Sequence, residues 1–415
     1  MKQYVIIGNG VAAAGCIEGI RSVDTKSRIA VVSEENRPVY CRPLISYYLE
    51  GMTTAEKMMY RRDDFYAANG CDVIYGRKAV KLDPDAKKVY LDDGSEYPYD
   101  SVCIAAGSSP VIPPFAGIDT VKNKFTFMTL DDALALENAL APNSKVLIVG
   151  AGLIGLKCAE GISGRVASIT ICDLAPRILS SILDDECAHM MQEAMERRNI
   201  SFMLSDTAVK FDKNKAYMKS GKEIDFDILI LAVGVKANTS LIKDAGGAVN
   251  RGIITNSRMM TSIPGVYAAG DCTEGFDFSF GSTRILAILP NAVMGGRCAG
   301  ANMAGGHETF ENAIPMNSIG FFGIHAMTAG SYFAEADGGE MYEEKNGCGI
   351  RRLFTKDGYL TGFIIIGDVE PAGIYVNLIR NRIPLSEIDF DLVKRSPSLA
   401  AFSDKYRNEK LGSVV

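Results

Sequence analysis

Two stretches decide how this chain folds: Tyr4-Val5-Ile6-Ile7-Gly8-Asn9-Gly10-Val11-Ala12-Ala13 and, 142 residues further on, Val146-Leu147-Ile148-Val149-Gly150-Ala151-Gly152-Leu153-Ile154-Gly155. In each, four apolar residues read as a buried parallel strand that runs into a glycine-rich turn. A helical pattern follows (11–21 and 153–162), and then a second apolar strand (28–33 and 166–172). That order is a βαβ unit with the glycines at its first turn, the arrangement that places a helix N-terminus against a dinucleotide pyrophosphate.

Each position has a physical task. Gly8 allows the tight turn, Gly10 removes the side chain that would block the phosphates, and Ala13 lets helix and strand pack closely. Glu34 and Glu35 follow the second strand, where a carboxylate accepts from ribose hydroxyls; Glu34 is favoured, but both remain candidates. The second unit has glycine at all three positions, Gly150, Gly152 and Gly155. Asp173 ends its second strand, 23 residues after Gly150, where a carboxylate binds a ribose 2′-hydroxyl and repels a 2′-phosphate. NADH is therefore expected in preference to NADPH, with Arg177 as the residue that could reverse this by binding a phosphate. Asp271, after Ala268-Ala269-Gly270, suits a flavin ribityl or ribose hydroxyl and could equally cap a helix. Two dinucleotide sites plus this aspartate point to a chain that holds FAD and takes electrons from NADH.

At 415 residues and 47% hydrophobic, the chain can form two or three domains around buried sheets. A net charge of −6 gives no support for nucleic-acid binding. The pairs Arg61-Arg62, Arg197-Arg198 and Arg351-Arg352 read as solvated surface or as a local patch for an acidic protein. No apolar run reaches membrane-spanning length, and the first strand starts at residue 4, so no leader is expected and the location is read as cytoplasmic.

Ten cysteines are scattered at 16, 41, 71, 103, 158, 172, 187, 272, 298 and 348, with no Cys-x-x-Cys and no iron–sulfur or zinc spacing, so no metal site is expected. Cys41 stands apart because Arg42 follows it and a neighbouring cation can lower a thiol pKa; the other reading is a packed thiol. His189, His307 and His325 are far apart along the chain and suggest no triad.

Further along, 88–91 and 96–99 read as a hairpin around Asp92-Asp93-Gly94, 130–140 as a helix, 184–198 as a helix, and 200–204, 207–211, 214–219 and 227–232 as strands. A helix is expected from Pro290 to about 303, strands and turns over 314–367, and a helix over 371–380; the last twenty residues show no pattern. The expected organisation is α/β: 1–112 and 242–312 form one Rossmann-like domain interrupted by a second over 113–241, followed by an α+β domain over 313–395 and a tail over 396–415.

These residues together resemble the FAD-dependent pyridine nucleotide oxidoreductase superfamily, nearest to NADH:rubredoxin oxidoreductases and the flavin/NADH region of assimilatory nitrite reductases. The resemblance rests on Gly8-Asn9-Gly10, Tyr40-Cys41-Arg42-Pro43, Ala105-Ala106-Gly107, Gly150–Gly155, Ala232-Val233-Gly234, Ala268–Cys272, Ile288-Leu289-Pro290-Asn291-Ala292 and Gly367-Asp368-Val369-Glu370. It implies a glutathione-reductase-like architecture, with nested FAD and NAD domains and a C-terminal domain that covers the flavin and often forms a homodimer. It places Gly8, Gly10, Glu34 or Glu35, Arg42, Ala106, Asp271 and Pro290, Asn291 and Ala292 around FAD, and Gly150, Gly152, Gly155 and Asp173 around NADH.

The resemblance also implies electron delivery to rubredoxin, ferredoxin or a metal-containing partner subunit. A low-turnover structural or redox-sensing flavin subunit, or an NADH oxidase or small-molecule reductase, are the other readings. The first turn lacks the histidine of flavin-dependent NADH peroxidases, which counts against peroxide and thiol chemistry at Cys41. Relatives often carry a Lys and a Glu as an ion pair near the flavin where this chain has Tyr47 and Lys157. Lys157 is therefore expected either as an unpaired cation that tunes the flavin or as a residue paired with Glu160.

Overall fold

Gln3–Ile7 and Arg28–Ser33 lie side by side as parallel strands, joined through the Val11–Val23 helix. The computed structural model describes residues 1–332, 338–347 and 349–411; Cys348 lies outside the described residues. The first sheet is parallel throughout, in the order Val266–Ala268, Ser101–Ile104, Gln3–Ile7, Arg28–Ser33, Cys71–Tyr75. Its central strands carry apolar residues on both faces, with Tyr4, Val5 and Ile6 fully buried, which explains why they read as continuous apolar runs. A second five-stranded parallel sheet has the order Ile200–Leu204, Ser168–Asp173, Lys145–Val149, Ile228–Leu231, Lys124–Phe125. The chain is thus a mixed α/β protein built on parallel sheets.

The two sheets carry matching attachments. Each has a three-stranded antiparallel meander, Ala79–Asp83 with Lys88–Leu91 and Glu96–Pro98, and Ala208–Asp212 with Lys215–Met218 and Glu223–Asp225. The leading strands read Ala-Val-Lys-Leu-Asp and Ala-Val-Lys-Phe-Asp, and the register shifts at the same place in both, between Ala79 and Lys81 and between Ala208 and Lys210. The extra residue is a valine each time, and both Val80 and Val209 are exposed, as a bulged residue left out of the ladder is. A short antiparallel ribbon pairs Ser108–Pro110 with Val235–Ala237.

The Val11–Val23 and Leu289–Met303 helices touch backbone to backbone. A Cβ built on Gly15 would lie 2.4 Å from the Val293 carbonyl oxygen, and one on Gly19 would lie 2.1 Å from that of Arg297. Reciprocally, a Cβ on Gly296 would lie 2.1 Å from the Ala12 oxygen and one on Gly300 would lie 2.0 Å from that of Cys16. Contacts rise together along both sequences, so the helices run parallel and their N-termini lie at the same end.

By contacts the chain divides into two compact units: residues 1–181, 188–275 and 283–310, and residues 182–187, 276–282 and 311–415. The second is built on an antiparallel sheet in the order Met316–Phe321, Ile324–Gly330, Tyr359–Ile366, Gly349–Lys356, Glu340–Asn346, packed by the Ala372–Arg380 helix. The short segment 182–187 is held in it by Arg352, which pairs with Asp184, Glu186 and Glu343. The tail departs from the expectation of no pattern. Asp404–Leu411 is helical, and Phe402 is buried in this unit's core and stacks on Tyr406 at 5.0 Å.

Substituting Gly300 by alanine should cost roughly 1–3 kcal/mol, because the methyl group has only backbone to displace. A Cβ on Gly164 would meet no atom within 4 Å, so Gly164→Ala should stay within about 0.5 kcal/mol. Denaturant unfolding of both variants checks the contrast.

Candidate functional site

Two strand–turn–helix junctions form the candidate site, one per parallel sheet. At the first, Gly8 has φ of +105° and a Cβ there would lie 2.1 Å from the Ala105 carbonyl oxygen, so the turn itself requires glycine. Gly10 is different: a Cβ there would meet no atom within 4 Å. It caps the Val11–Val23 helix with no side-chain cap and no acidic residue in the first turn. The helix start is therefore uncapped by any side chain, with open space where a Gly10 side chain would stand, which fits a diphosphate. Ala13 is fully buried one turn on.

The second junction repeats this. Gly150 has φ of +117° with its Cβ position 2.3 Å from the Ala232 oxygen, and a Cβ on Gly155 would lie 2.1 Å from the Gly150 oxygen. Gly152 is open and caps the Leu153–Ile162 helix without a side-chain cap. Asp173 sits at the lip of this turn, its carboxylate accepting from the amides of Ala151 at 2.7 Å and Ala175 at 2.8 Å.

Around the first junction the predicted residues divide. Glu34 turns outward to Lys78 at 3.2 Å, whereas Glu35 is half-buried and takes hydrogen bonds from Tyr40 and Arg42. Arg42 also donates to the Met128 carbonyl at 3.2 Å. Gly270 has φ of +82°, and its Cβ position is 2.9 Å from the Ala12 Cβ and 3.7 Å from the Ala292 Cβ. This single close turn brings Asp271, the start of the first helix and the Pro290-Asn291-Ala292 start of the second into one place. Burial pushes the Asp271 carboxyl above the ordinary aspartate value, opposed by the Arg42 charge, and no hydrogen bond reaches that carboxylate among the described residues. A desolvated acid beside two aligned helix N-termini is suited to accept from ligand hydroxyls.

Sequence reasoning missed two polar anchors. Asn238 donates to the Ala106 carbonyl at 2.8 Å and its amide to that of Gly107 at 3.0 Å, fixing the end of a central strand. Tyr66 donates to the Asn9 side chain at 2.7 Å and accepts the Val39 amide at 3.1 Å, and Asn9 donates to the Arg37 carbonyl at 3.3 Å. Nothing in the local sequence around Tyr66 signals this; both partners lie across the fold.

At two positions the sequence leaves alternatives, and the geometry separates them. Arg42 does not activate Cys41, because its guanidinium is turned to Glu35 and Met128, and burial pushes the Cys41 thiol up. Lys157 is not an unpaired cation: it pairs with Glu160 one turn along its own helix and lies 4.5 Å from the centroid of the Tyr47 ring. Elsewhere, His189, His307 and His325 are exposed and separate. Among the described residues no cluster of histidine, cysteine and carboxylate side chains is arranged to hold a metal ion, and no helix is long and apolar enough to cross a membrane.

Residues 2–296 match the pyridine nucleotide-disulphide oxidoreductase family. The chain belongs to this family. Subunit epsilon of the NADH-dependent phenylglyoxylate dehydrogenase of Aromatoleum evansii is 33% identical over 399 residues, covering 93% of each chain. The nitrite reductase [NAD(P)H] of Bacillus subtilis is 28% identical over 395 residues, but there the match covers 93% of this chain and 48% of the relative, about half its length. A covalent putidaredoxin reductase–putidaredoxin complex has a TM-score of 0.86 at 20% identity, over 100% of this chain and 99% of that one, and so shares the fold. This pyridine nucleotide-disulphide oxidoreductase is accordingly an NAD(P)H-dependent flavin oxidoreductase.

Two outcomes test the site. Folded Asp271 holds its proton more tightly than the unfolded chain does, so flavin-free stability should decline as pH rises above the ordinary aspartate value of 3.8 and level off above its raised value. Asp271→Asn should abolish that decline in pH-resolved unfolding while weakening flavin binding. Cys41→Ser should leave NAD(P)H-driven electron-acceptor reduction within about 2-fold, because a thiol raised by burial is little ionised near neutrality. A loss of activity well beyond that would restore Cys41 as a redox group.

Proposed function

We propose that this chain oxidises NADH and passes the electrons, through FAD, to a one-electron protein acceptor such as rubredoxin, ferredoxin or a metal-containing partner subunit. The observation that carries the reading is the pair of open, uncapped helix N-termini, at Gly10 and Gly152, each on its own parallel sheet. In this reading residues 1–112 and 242–312 hold FAD, 113–241 hold NADH, and 313–395 form an interface domain, in a protein that works in the cytoplasm. FAD, when bound, exchanges electron pairs with a nicotinamide and single electrons with a metal centre.

The chain's own residues bind and orient. The amides after Gly10 and Gly152 take the two diphosphates. Asp271 accepts from flavin hydroxyls, Glu34 or Glu35 from the adenosine ribose, and Arg42 supplies positive charge beside them. Pro290, Asn291 and Ala292 present a second helix N-terminus to the same ligand. Asp173 takes the nicotinamide nucleotide's ribose hydroxyl and repels a 2′-phosphate, which selects NADH. A protein acceptor is supported by a relative that is itself a subunit of an NADH-dependent dehydrogenase and matches along nearly its whole length.

Anaerobic mixing with NADH should bleach the bound flavin at about 450 nm rapidly, and NADPH should do so more slowly. Asp173→Ala should narrow the NADH-over-NADPH ratio of kcat/KM by roughly tenfold. An unchanged ratio would remove Asp173 from nucleotide selection. Fast turnover with oxygen alone, undiminished by added rubredoxin or ferredoxin, would replace the protein acceptor by an oxidase reading.

A further inference from the structure

Tyr40 stands between the polar residues of the first junction and a distant segment of the chain. Its hydroxyl donates to Oε2 of Glu35 at 2.7 Å and accepts the Leu130 amide at 2.9 Å. Arg42 pairs with the other oxygen of the same carboxylate. The Arg42 guanidinium carbon also lies 5.7 Å from the centroid of the Tyr40 ring. Tyr40 therefore meets Arg42 twice, through a shared carboxylate and through its ring face.

The far end of this chain of contacts is rigid. Leu130 opens the Leu130–Ala139 helix, where Thr129 accepts from the Asp132 amide and Asp132 accepts from the amides of Met128 and Thr129. The Leu130 amide has no carbonyl partner inside its own helix, and the Tyr40 hydroxyl supplies one. Tyr40 is 5% exposed, and burial keeps its phenol protonated, so it remains a donor to Glu35 at neutral pH.

Arg42 needs such a hold. Glu35 pairs with its guanidinium, and the Arg42 charge also lowers the Asp271 carboxyl against the effect of burial. Long arginine side chains lose orientation readily unless several contacts act together. Here the Met128 carbonyl, the Glu35 carboxylate and the Tyr40 ring constrain the guanidinium from three directions.

We propose that Tyr40 is a positioning residue for the flavin site: its hydroxyl fixes Glu35 against the Leu130 helix start, and Glu35 and the ring together hold the Arg42 guanidinium in one orientation. This rests on the reading of the first junction as the flavin site. Tyr40 acts through Arg42 and takes no part in electron transfer itself.

The test is a double-mutant cycle on the full chain, stripped of flavin and titrated with FAD. Tyr40→Phe keeps the ring and removes the hydroxyl. It should weaken FAD binding roughly tenfold, the scale of a hydrogen bond to a charged group. In an Arg42→Ala background the same change should have almost no further effect, and the visible spectrum of bound flavin should shift alike in both single variants. Glu35→Gln interrupts the same contacts from the other end and should be non-additive with Tyr40→Phe. Melting of the flavin-free forms confirms that each is folded, and Glu35→Gln with Arg42→Ala completes the cycle should Tyr40→Phe fail to fold. Wild-type affinity in Tyr40→Phe, or an equal loss with and without Arg42, overturns the positioning role while leaving the flavin site intact. A wild-type chain that takes up no FAD overturns the flavin reading, and the positioning role with it.

Discussion

The glycine-mediated contact between the Val11–Val23 and Leu289–Met303 helices is the constraint on which the rest of the site depends. Four positions, Gly15, Gly19, Gly296 and Gly300, lie so close to a carbonyl oxygen of the other helix that a Cβ would approach within 2.4 Å or less. Because the helices run parallel, this approach sets two N-terminal ends side by side. Side chains at the contact would separate the axes, and with them the amides at Gly10 and the Pro290 end. Gly270 then brings Asp271 against both helices through Ala12 and Ala292. The anion-favouring ends and the Asp271 carboxylate are therefore located by backbone packing, not by side-chain pairing.

Side-chain pairing governs the next layer out. Glu35, Tyr40 and Arg42 form a closed set with the Met128 carbonyl and the Leu130 amide, residues nearly ninety positions away. Tyr66 does the same for Asn9 and the 37–39 backbone. These contacts turn a glycine-rich loop, which has little stiffness of its own, into a surface with fixed donors and acceptors. They also decide the state of Cys41, since the cation adjacent to it in sequence is directed elsewhere in space.

Much of the fold is legible in the sequence. The Leu153–Ile162 helix reads at its observed bounds because Gly152 precedes it and Ser163 and Gly164 follow. The central strands are legible because a strand buried on both faces cannot alternate. The tail is not, because the Asp404–Leu411 helix is polar and its place depends on Phe402 reaching the core and stacking on Tyr406. The attachment of 182–187 to the second unit is equally hidden, resting on Arg352, more than 160 residues away. The glycine junctions are visible because each needs a residue type at a fixed spacing. Tyr66 and Asn238 are invisible because their partners are backbone and side-chain atoms that only the tertiary fold brings near.

Lys157 shows how a local departure from a pattern is compensated a turn away. A lysine where a glutamate is expected, facing a tyrosine where a lysine is expected, reads as added positive charge. The fold supplies Glu160 on the same helix face, with only 8% of its side chain exposed. Removing either partner would leave a largely desolvated charge, a cost of about 3–5 kcal/mol in buried pairs. Gly161 lets this helix approach the Ser46 carbonyl, its Cβ position being 2.6 Å from that oxygen, and so brings Lys157 over Tyr47. Glu50 is the third member: burial first, and then the Glu160 charge, push its carboxyl up. Glu160 keeps the ion pair with Lys157. The positive charge that the sequence places at this helix junction is thus neutralised within it by Glu160, whereas Arg42, which precedes the Ile45–Glu50 helix, pairs with Glu35.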